Sequence, residues 1–271
     1  MVFTLGYDRA AQDEVIANVR IALLGVDLLP HEQVEYERLS ESISKSFGYL
    51  IHQYGAPEHP FSAFIAFVNS MADHGSRDEG MAANRYLKAV RERRRLLAET
   101  PTKIEALALL VGAIEEADRT IVFTTTKNSA DLIADELEDF GFAAAAHHSG
   151  LTKDERRERL ADFGAGDLDV ITTAMTLNEG IDVPEADLAI VFGGSNQRRE
   201  KVQRMGRILR SKEDDRDARF VLLFVRGSSE DPLVGEGDEF IEEMFEIAQD
   251  VVTFDGDSEV ADLTEFLSPY Q

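Results

Sequence analysis

The 271-residue chain contains no cysteine. This absence excludes a disulfide framework, a Cys-ligated zinc site and a thiol nucleophile. The chain also has no apolar run approaching the roughly 20 residues that a membrane-spanning helix needs. Its first residues lead into Asp8 and Arg9 and not into the apolar stretch of a signal peptide. We therefore expect a cytoplasmic protein with no membrane partner.

Positive charge is scarce as well. Lys and Arg together number 28, of which seven are Lys, against 52 Asp and Glu, and the formal net charge is −24. Hydrophobic residues make up 44% of the chain, enough to build a core, so the acidity does not indicate disorder. A field this negative repels phosphates, which argues at first against a nucleic-acid ligand.

Two parts of the chain differ in their pattern. Residues 1–100 form a mainly helical N-terminal segment, packed on or inserted beside the domain that residues 101–252 form. Those later residues alternate apolar runs with helical patterns, which predicts an α/β domain with a parallel sheet flanked by helices. Residues 253–271 form an acidic C-terminal tail with one short helix. The predicted strands are Thr120–Thr124, Ala143–His147, Val170–Thr173, Leu188–Phe192 and Arg219–Val225, and the predicted helices between and after them are Ser129–Phe140, Lys153–Phe163, Arg198–Arg210 and Glu239–Asp250.

Three loops follow predicted strands, at the edge where parallel sheets place ligands. The first begins with Thr124 and Thr125, whose hydroxyls and free N–H groups at a strand-to-helix turn suit contact with phosphate. The alternative is that this loop only caps the next helix, through Thr126 or Asn128.

The second loop contains a His pair followed by Ser149 and Gly150. Gly150 permits a close approach of the backbone, and Thr152 with Glu155 has the spacing of a capping box. The His pair does not favour a metal site, because adjacent residues of a strand point to opposite faces and no nearby carboxylate completes a ligand set. A polar loop contact or a structural role is the favoured interpretation.

The third loop contains Gly180 and Asp182, which are also ordinary turn residues. Beyond it, Gln203, Arg207 and Arg210 fall within about 60° of one another on a helix of 100° per residue. Guanidinium groups offer two parallel donors that suit phosphate oxygens, so this face predicts an anionic partner. The alternative is a surface of salt bridges to the many carboxylates of the chain.

These motifs, in this order, resemble motifs IV, IVa, V and VI of the second motor domain of superfamily 2 helicases. The matching runs are Ile-Val-Phe-Thr-Thr-Thr, His-Ser-Gly, Asn-Glu-Gly-Ile-Asp-Val-Pro and Gln-Arg-Met-Gly-Arg-Ile-Leu-Arg. The ending Gly-Arg-Ile-Leu-Arg-Ser-Lys is most similar to archaeal XPB-type DNA helicases. The resemblance covers about residues 100–230 and implies a RecA-like fold.

The resemblance also implies roles for individual residues. Arg207 and Arg210 would be arginine fingers that reach the γ-phosphate of ATP, with Gln203 nearby, and Gly180 and Asp182 would couple the nucleotide to the nucleic-acid groove. The residues expected to contact the phosphate backbone of the tracked strand are Thr124, Thr125, Ser149, Gly150 and Thr172.

One departure from the family pattern limits the expected activity. The sequence has no Gly-x-x-x-x-Gly-Lys-Ser/Thr phosphate loop and no Asp-Glu-x-His magnesium motif. We therefore expect ATP and Mg²⁺ to be bound only with a first RecA-like motor domain, in cis or trans, and no ATPase activity of this chain alone. The alternatives are a non-catalytic nucleic-acid-binding or regulatory module and, less favoured, an unrelated nucleotide-binding domain. DNA is the expected partner, RNA is not excluded, and the oligomeric state is open.

A further cluster of cations lies before the motor motifs. Arg91, Arg94 and Arg95 belong to a predicted helix and are candidates for nucleic-acid contact. The alternative is that these side chains pair with local acids such as Glu92.

The charge balance is similar to that of extremely halophilic archaea, in which acidic residues abound and Arg nearly replaces Lys. In molar salt the Debye length falls to about 3 Å, so long-range repulsion of phosphates largely disappears. The net charge therefore does not exclude nucleic acid, provided that the protein works in concentrated salt.

Overall fold

The computed structural model describes residues 19–174, 186–192, 218–234, 245, 248–256 and 260–269. The chain divides into two compact units: a helical unit of residues 28–97, and a sheet unit made of the residues before and after it. This division differs from the boundary predicted near residue 101, because Val19–Val26 is a strand of the sheet.

The helical unit consists of α1 (Pro30–Tyr54), α2 (Phe61–His74) and α3 (Arg77–Glu99), the last of which ends just beyond it. Phe64 lies at its centre, with its ring 4.6 Å from Phe47 and 5.2 Å from Tyr86, centroid to centroid. The predicted mainly helical N-terminal region is therefore confirmed.

Within the described residues, the sheet has seven parallel strands in the order β3-β4-β2-β5-β6-β1-β7. Five of them coincide with the predicted strands to within one residue at each end. Every residue of β1, β2, β5 and β6 is buried, as expected for a parallel sheet that is covered on both faces. The strands are β1 (Val19–Val26), β2 (Thr120–Thr124), β3 (Ala144–His147), β4 (Val170–Ala174), β5 (Leu188–Phe192), β6 (Ala218–Val225) and β7 (Ala248–Asp255).

Helices cover both faces of this sheet. Phe163 joins the core that contains Ile121 and Ile171, whereas Ala130 and Ala134 pack on the other face against strand alanines. The predicted class, a RecA-like parallel sheet flanked by helices, is confirmed. The helices described in this unit are α4 (Pro101–Glu105), α5 (Val111–Glu115), α6 (Lys127–Asp139), α7 (Lys153–Ala165) and α8 (Val260–Phe266), and a 3₁₀ turn joins α4 to α5.

The C-terminal part of the chain differs from the prediction in two ways. Ala248–Asp255 is an edge strand where the sequence pattern predicted the end of a helix, and its mostly exposed side chains hide the alternation of a strand. The predicted short helix is present as α8, but it is anchored: Leu263 and Leu267 are fully buried. Residues 260–268 therefore belong to the body of the sheet unit.

Within the described residues, no helix combines the length and the hydrophobicity needed to cross a membrane.

Candidate functional site

Two loops flank the carboxyl end of β4. In the sheet register, Thr173 of β4 pairs with Phe123 of β2 on one side and with His147 of β3 on the other. The loops that follow β2 and β3 therefore begin at the same level, separated by two strand spacings of about 4.8 Å each. This edge is where parallel α/β sheets place ligands.

The loop after β2 is built around a helix cap. Thr126 is the N-cap of α6, and its hydroxyl accepts a hydrogen bond of 2.9 Å from the Ser129 N–H. The hydroxyl of Thr124 is buried and hydrogen-bonds to the side chain of Ser129. The capping interpretation is thus correct for Thr126, and Thr124 supports the turn from inside.

Thr125 behaves differently from its two neighbours. Its hydroxyl is covered and has no hydrogen-bond partner among the described residues. A buried hydroxyl without a partner costs free energy, on the order of 1–3 kcal/mol. In this conformation the hydroxyl of Thr125 is therefore not open to a ligand.

The loop after β3 presents an exposed tip on a buried base. Ser149 and Gly150 are exposed, whereas His148 behind them is 8% exposed. Thr152 then caps α7, and its hydroxyl accepts from the Glu155 N–H at 3.3 Å while Glu155 accepts from the Thr152 N–H at 2.7 Å. The predicted capping box is present and fixes where the loop ends.

Thr172, the remaining hydroxyl expected to contact a backbone phosphate, is fully buried in β4. Its hydroxyl donates a 2.6 Å hydrogen bond to the carbonyl oxygen of Ala130, which fastens α6 to the sheet. Neither Thr172 nor Thr124 is open to a ligand in this conformation. Of the residues expected to contact a backbone phosphate near these loops, Ser149 and Gly150 are the exposed ones.

The two histidines face different surroundings, as the sequence predicted for adjacent strand residues. Burial lowers the pKa of His147, and the positive charge of Arg156 lowers it further. His148 instead lies with its Nε2 2.9 Å from Oδ1 of Asp131. No group of three metal-ligating side chains occurs among the described residues, which include both histidines.

Lys127 is a site residue that the sequence analysis did not single out. It is the first residue of α6 and is exposed, and a Cβ placed on Gly150 would lie 3.6 Å from its Cδ. The stem of this side chain therefore reaches the tip of the β3 loop. A lysine at the start of a helix was visible in the sequence, but its approach to Gly150 depends on the tertiary fold.

The helical unit carries the predicted arginines on α3. Arg91, Arg94 and Arg95 are exposed, and none of them forms an ion pair with a carboxylate of the described residues. Glu92 was the acid expected to pair with these arginines, but its Oε1 lies 3.7 Å from Nζ of Lys88. The three guanidinium groups thus present their charge to solvent.

Five predicted site residues lie outside the described residues. They are Gly180, Asp182, Gln203, Arg207 and Arg210. Their proposed roles therefore rest on the sequence motifs alone.

Comparison with known proteins places these loops in a family. Residues 102–212 match the model of the helicase conserved C-terminal domain. The chain is 30% identical over 215 residues to the DNA 3′-5′ translocase XPB2 of Sulfurisphaera tokodaii, covering 79% of this chain and 45% of that protein. It is 33% identical over 145 residues to the putative DNA 3′-5′ helicase Rad25 of Haloarcula marismortui, covering 53% of this chain and 22% of that protein.

A third relative acts on a different nucleic acid. The pre-mRNA-splicing ATP-dependent RNA helicase prp28 of Neosartorya fischeri is 29% identical over 126 residues, which are 46% of this chain and 16% of that protein. The chain spans less than half the length of each of these three relatives. It carries a helicase C-terminal domain of the superfamily 2 helicase and translocase family that includes XPB.

Proposed function

We propose that this chain is the C-terminal motor half of an ATP-dependent superfamily 2 DNA helicase or translocase. It supplies arginine fingers and contacts to the nucleic-acid backbone. It does not hydrolyse ATP without a first RecA-like motor domain.

The observation that carries this proposal is the pair of loops beside the end of β4. They expose a hydroxyl at Ser149, a glycine backbone at Gly150 and the ammonium group of Lys127. Hydroxyls, main-chain N–H groups and cations are the groups that hold backbone phosphates independently of base sequence. A motor that moves along any sequence needs contacts of this kind, and we assign them to Ser149 and Lys127, while Gly150, which has no side chain, allows the strand to approach the loop.

The proposed contribution to ATP hydrolysis comes from two motifs, one between β4 and β5 and the other after β5. Arg207 and Arg210 act as fingers that stabilise the negative charge at the γ-phosphate, with Gln203 beside them, while Gly180 and Asp182 link the nucleotide to the nucleic-acid groove. The chain has no phosphate loop and no magnesium motif, so ATP and Mg²⁺ are held chiefly by the first motor domain.

DNA is the proposed nucleic acid. The relatives named as DNA enzymes match 79% and 53% of this chain, whereas the RNA helicase matches 46%. Backbone contacts distinguish poorly between the two polymers, so the comparison of one single-stranded sequence as DNA and as RNA belongs in the first binding experiment.

The test is reconstitution. The purified chain is assayed for Mg²⁺-dependent ATP hydrolysis with single-stranded DNA, alone and after addition of a first motor domain that carries the phosphate loop. We expect no turnover by the chain alone and DNA-stimulated turnover in the mixture. Arg207→Ala should lower that turnover about 10³-fold or more, as for other arginine fingers.

Two results separate the alternatives. Magnesium-dependent turnover by the chain alone, abolished in Arg207→Ala, would contradict the proposed division of the ATP site. Binding of DNA without any restored turnover would instead favour a non-catalytic nucleic-acid-binding or regulatory module that retains the helicase C-terminal fold.

A further inference from the structure

Both ring nitrogens of His148 are engaged, and by different parts of the fold. Nε2 lies 2.9 Å from Oδ1 of Asp131 on α6. Nδ1 accepts a hydrogen bond of 3.1 Å from the backbone N–H of Gly150. The imidazole thus bridges a helix to the tip of the loop that follows β3.

These two contacts fix the tautomer of the ring. The Gly150 N–H can only donate, so Nδ1 must present its lone pair. Nε2 then carries the proton and donates it to the carboxylate of Asp131, and the neutral ring satisfies both neighbours. A protonated imidazole would turn an N–H group towards the N–H of Gly150 and break the second contact.

The turn is shaped closely around the ring. The Leu151 N–H donates to the His148 carbonyl oxygen at 3.1 Å, which closes the turn with Ser149 and Gly150 at its exposed tip. A Cβ on Gly150 would lie 3.0 Å from both Nδ1 and Cε1 of the imidazole, tighter than ordinary contacts. Any larger residue at position 150 would therefore push the ring away from its present position.

We propose that His148 is a positioning residue of the nucleic-acid interface. Asp131 holds the imidazole in place, and the imidazole accepts a hydrogen bond from the Gly150 N–H. This contact fixes the turn so that the hydroxyl and the N–H of Ser149 face a backbone phosphate. His148 does not touch the phosphate itself. This inference rests on the proposed function of the same loop and names the group that orders it.

Substitutions that keep one contact at a time test the role of the ring. Asn places an acceptor where Nδ1 stands, so His148→Asn should keep the turn and retain affinity for single-stranded DNA within about threefold. Gln places its amide near the position of Nε2 and leaves Gly150 without an acceptor, so His148→Gln should lose about tenfold, or roughly 1.4 kcal/mol. The measurement is fluorescence anisotropy of a labelled single-stranded oligonucleotide with the full chain at one KCl concentration.

Substitution of Asp131 provides a second test, in which the direction of the change in DNA affinity distinguishes the two explanations. It is 52% exposed, so its replacement need not disturb folding. Removing an acid beside a phosphate site should raise affinity through electrostatics alone. We expect Asp131→Ala to lower affinity, because the ring loses its anchor, and Asp131→Asn, which keeps the acceptor, to remain close to the wild type.

The dependence of DNA affinity on pH distinguishes a hydrogen-bonding role of His148 from a role in packing alone. A protonated ring cannot accept from Gly150, so wild-type affinity should be lower in acidic than in neutral buffer. The charged or titratable groups around the ring are Asp131 and Lys127 on α6 and His147 on β3, with Arg156 and Arg159 of α7 near His147. His148→Asn should lose this pH dependence, which removes His147 as its source.

The outcomes are distinct. Equal affinity of His148→Asn and His148→Gln, a gain in affinity with Asp131→Ala, or a pH profile that persists in His148→Asn would each overturn the positioning role. Failure of the wild-type chain to bind single-stranded DNA at any pH would instead contradict the proposed function itself.

Discussion

Arg20 and Arg219 are register partners on adjacent strands, and both donate hydrogen bonds to the carboxyl end of the same helix. Arg20 of β1 donates to the carbonyl oxygens of Phe266, at 2.7 Å, and Ser268. Arg219 of β6 donates to the carbonyl oxygen of Leu267 at 2.9 Å. The last carbonyl groups of a helix lack intrahelical partners and carry partial negative charge, so two buried cations stabilise this end.

The first prediction concerns the cost of losing Arg219. Its Nη2 also lies 2.6 Å from Oδ2 of Asp187, and both side chains are almost completely buried. Arg219→Ala removes a buried cation from the side of a buried carboxylate, which typically costs about 3–5 kcal/mol. Urea-induced unfolding should report this loss.

Arg226 is the matched control for this experiment. It follows the same strand and forms two ion pairs of 2.5 Å, with Asp27 and Asp255, but all three side chains are at least 40% exposed. Exposed pairs contribute about 0–1 kcal/mol, so Arg226→Ala should change stability little. Equal losses in the two variants would contradict the role of burial.

The second prediction concerns Lys103, which is completely buried beside Glu230. Burial lowers the pKa of Lys103, while the carboxylate of Glu230 opposes that shift. Glu230 also accepts a 3.0 Å hydrogen bond from the Val225 N–H at the end of β6. Lys103→Met should therefore lower the unfolding free energy by about 3–5 kcal/mol, because the carboxylate of Glu230 remains buried after the positive charge beside it is removed.

The double variant Lys103→Met with Glu230→Gln provides the comparison. The amide oxygen of Gln still accepts from the Val225 N–H but carries no charge, so most of the lost stability should return. A double variant as unstable as Lys103→Met alone would show that shape and packing, not charge, account for the loss.

The third prediction concerns the exposed arginines of α3. Reversal of charge in the triple variant R91E/R94E/R95E should weaken binding to single-stranded DNA at least about tenfold. If each guanidinium meets one phosphate, the slope of log affinity against log salt should also fall by about 2, at about 0.7 per contact. Titrations at several KCl concentrations give both quantities.

The helical unit offers a control with the same change of charge. Arg38, Lys45 and Lys88 lie 2.6, 2.7 and 3.7 Å from Glu35, Glu41 and Glu92, respectively. Because these cations are already paired, the variant R38E/K45E/K88E should keep most of the affinity. Similar losses in both variants would attribute the effect to net charge and not to a contact surface.

The fourth prediction concerns salt. A net charge of −24 destabilises the compact state through self-repulsion, and screening by salt reduces that repulsion. The unfolding free energy should therefore rise from dilute buffer to concentrated KCl, when measured by urea-induced unfolding at each salt concentration. A chain that is equally stable in salt-free buffer would contradict the halophilic interpretation of its composition.

The core of the sheet was predictable from sequence because its strands are uninterrupted apolar runs. Thr120–Thr124 and Leu188–Phe192 were predicted with the bounds that the structure has. The edge strand Ala248–Asp255 was not, because its mostly exposed residues form neither an apolar run nor an alternating pattern. The buried Arg20 poses a similar difficulty, since its partner on α8, the carbonyl oxygen of Phe266, is 246 residues away in the sequence.

The candidate site was predicted as a set of loops and not as a set of contacts. The sequence indicated Ser149 and Gly150 as part of a loop, and both are exposed at its tip. The family resemblance implied a phosphate contact for Thr172 as well, but its side chain is buried in the sheet. The link between His148 and Asp131 spans 17 residues and depends on how α6 lies against β3. Motif spacing carries no information about that arrangement.

The place of β1 in the sheet has a practical consequence for recombinant expression. The span that matches the helicase model, residues 102–212, omits β1, β6 and β7. A truncated chain that begins near residue 98 would retain β6 and β7 but lose the strand that lies between them. It would leave unpaired N–H and C=O groups along both strands, and such open edges favour aggregation. Chains expressed for crystallisation or NMR should therefore start before Val19, even when only the sheet unit is wanted.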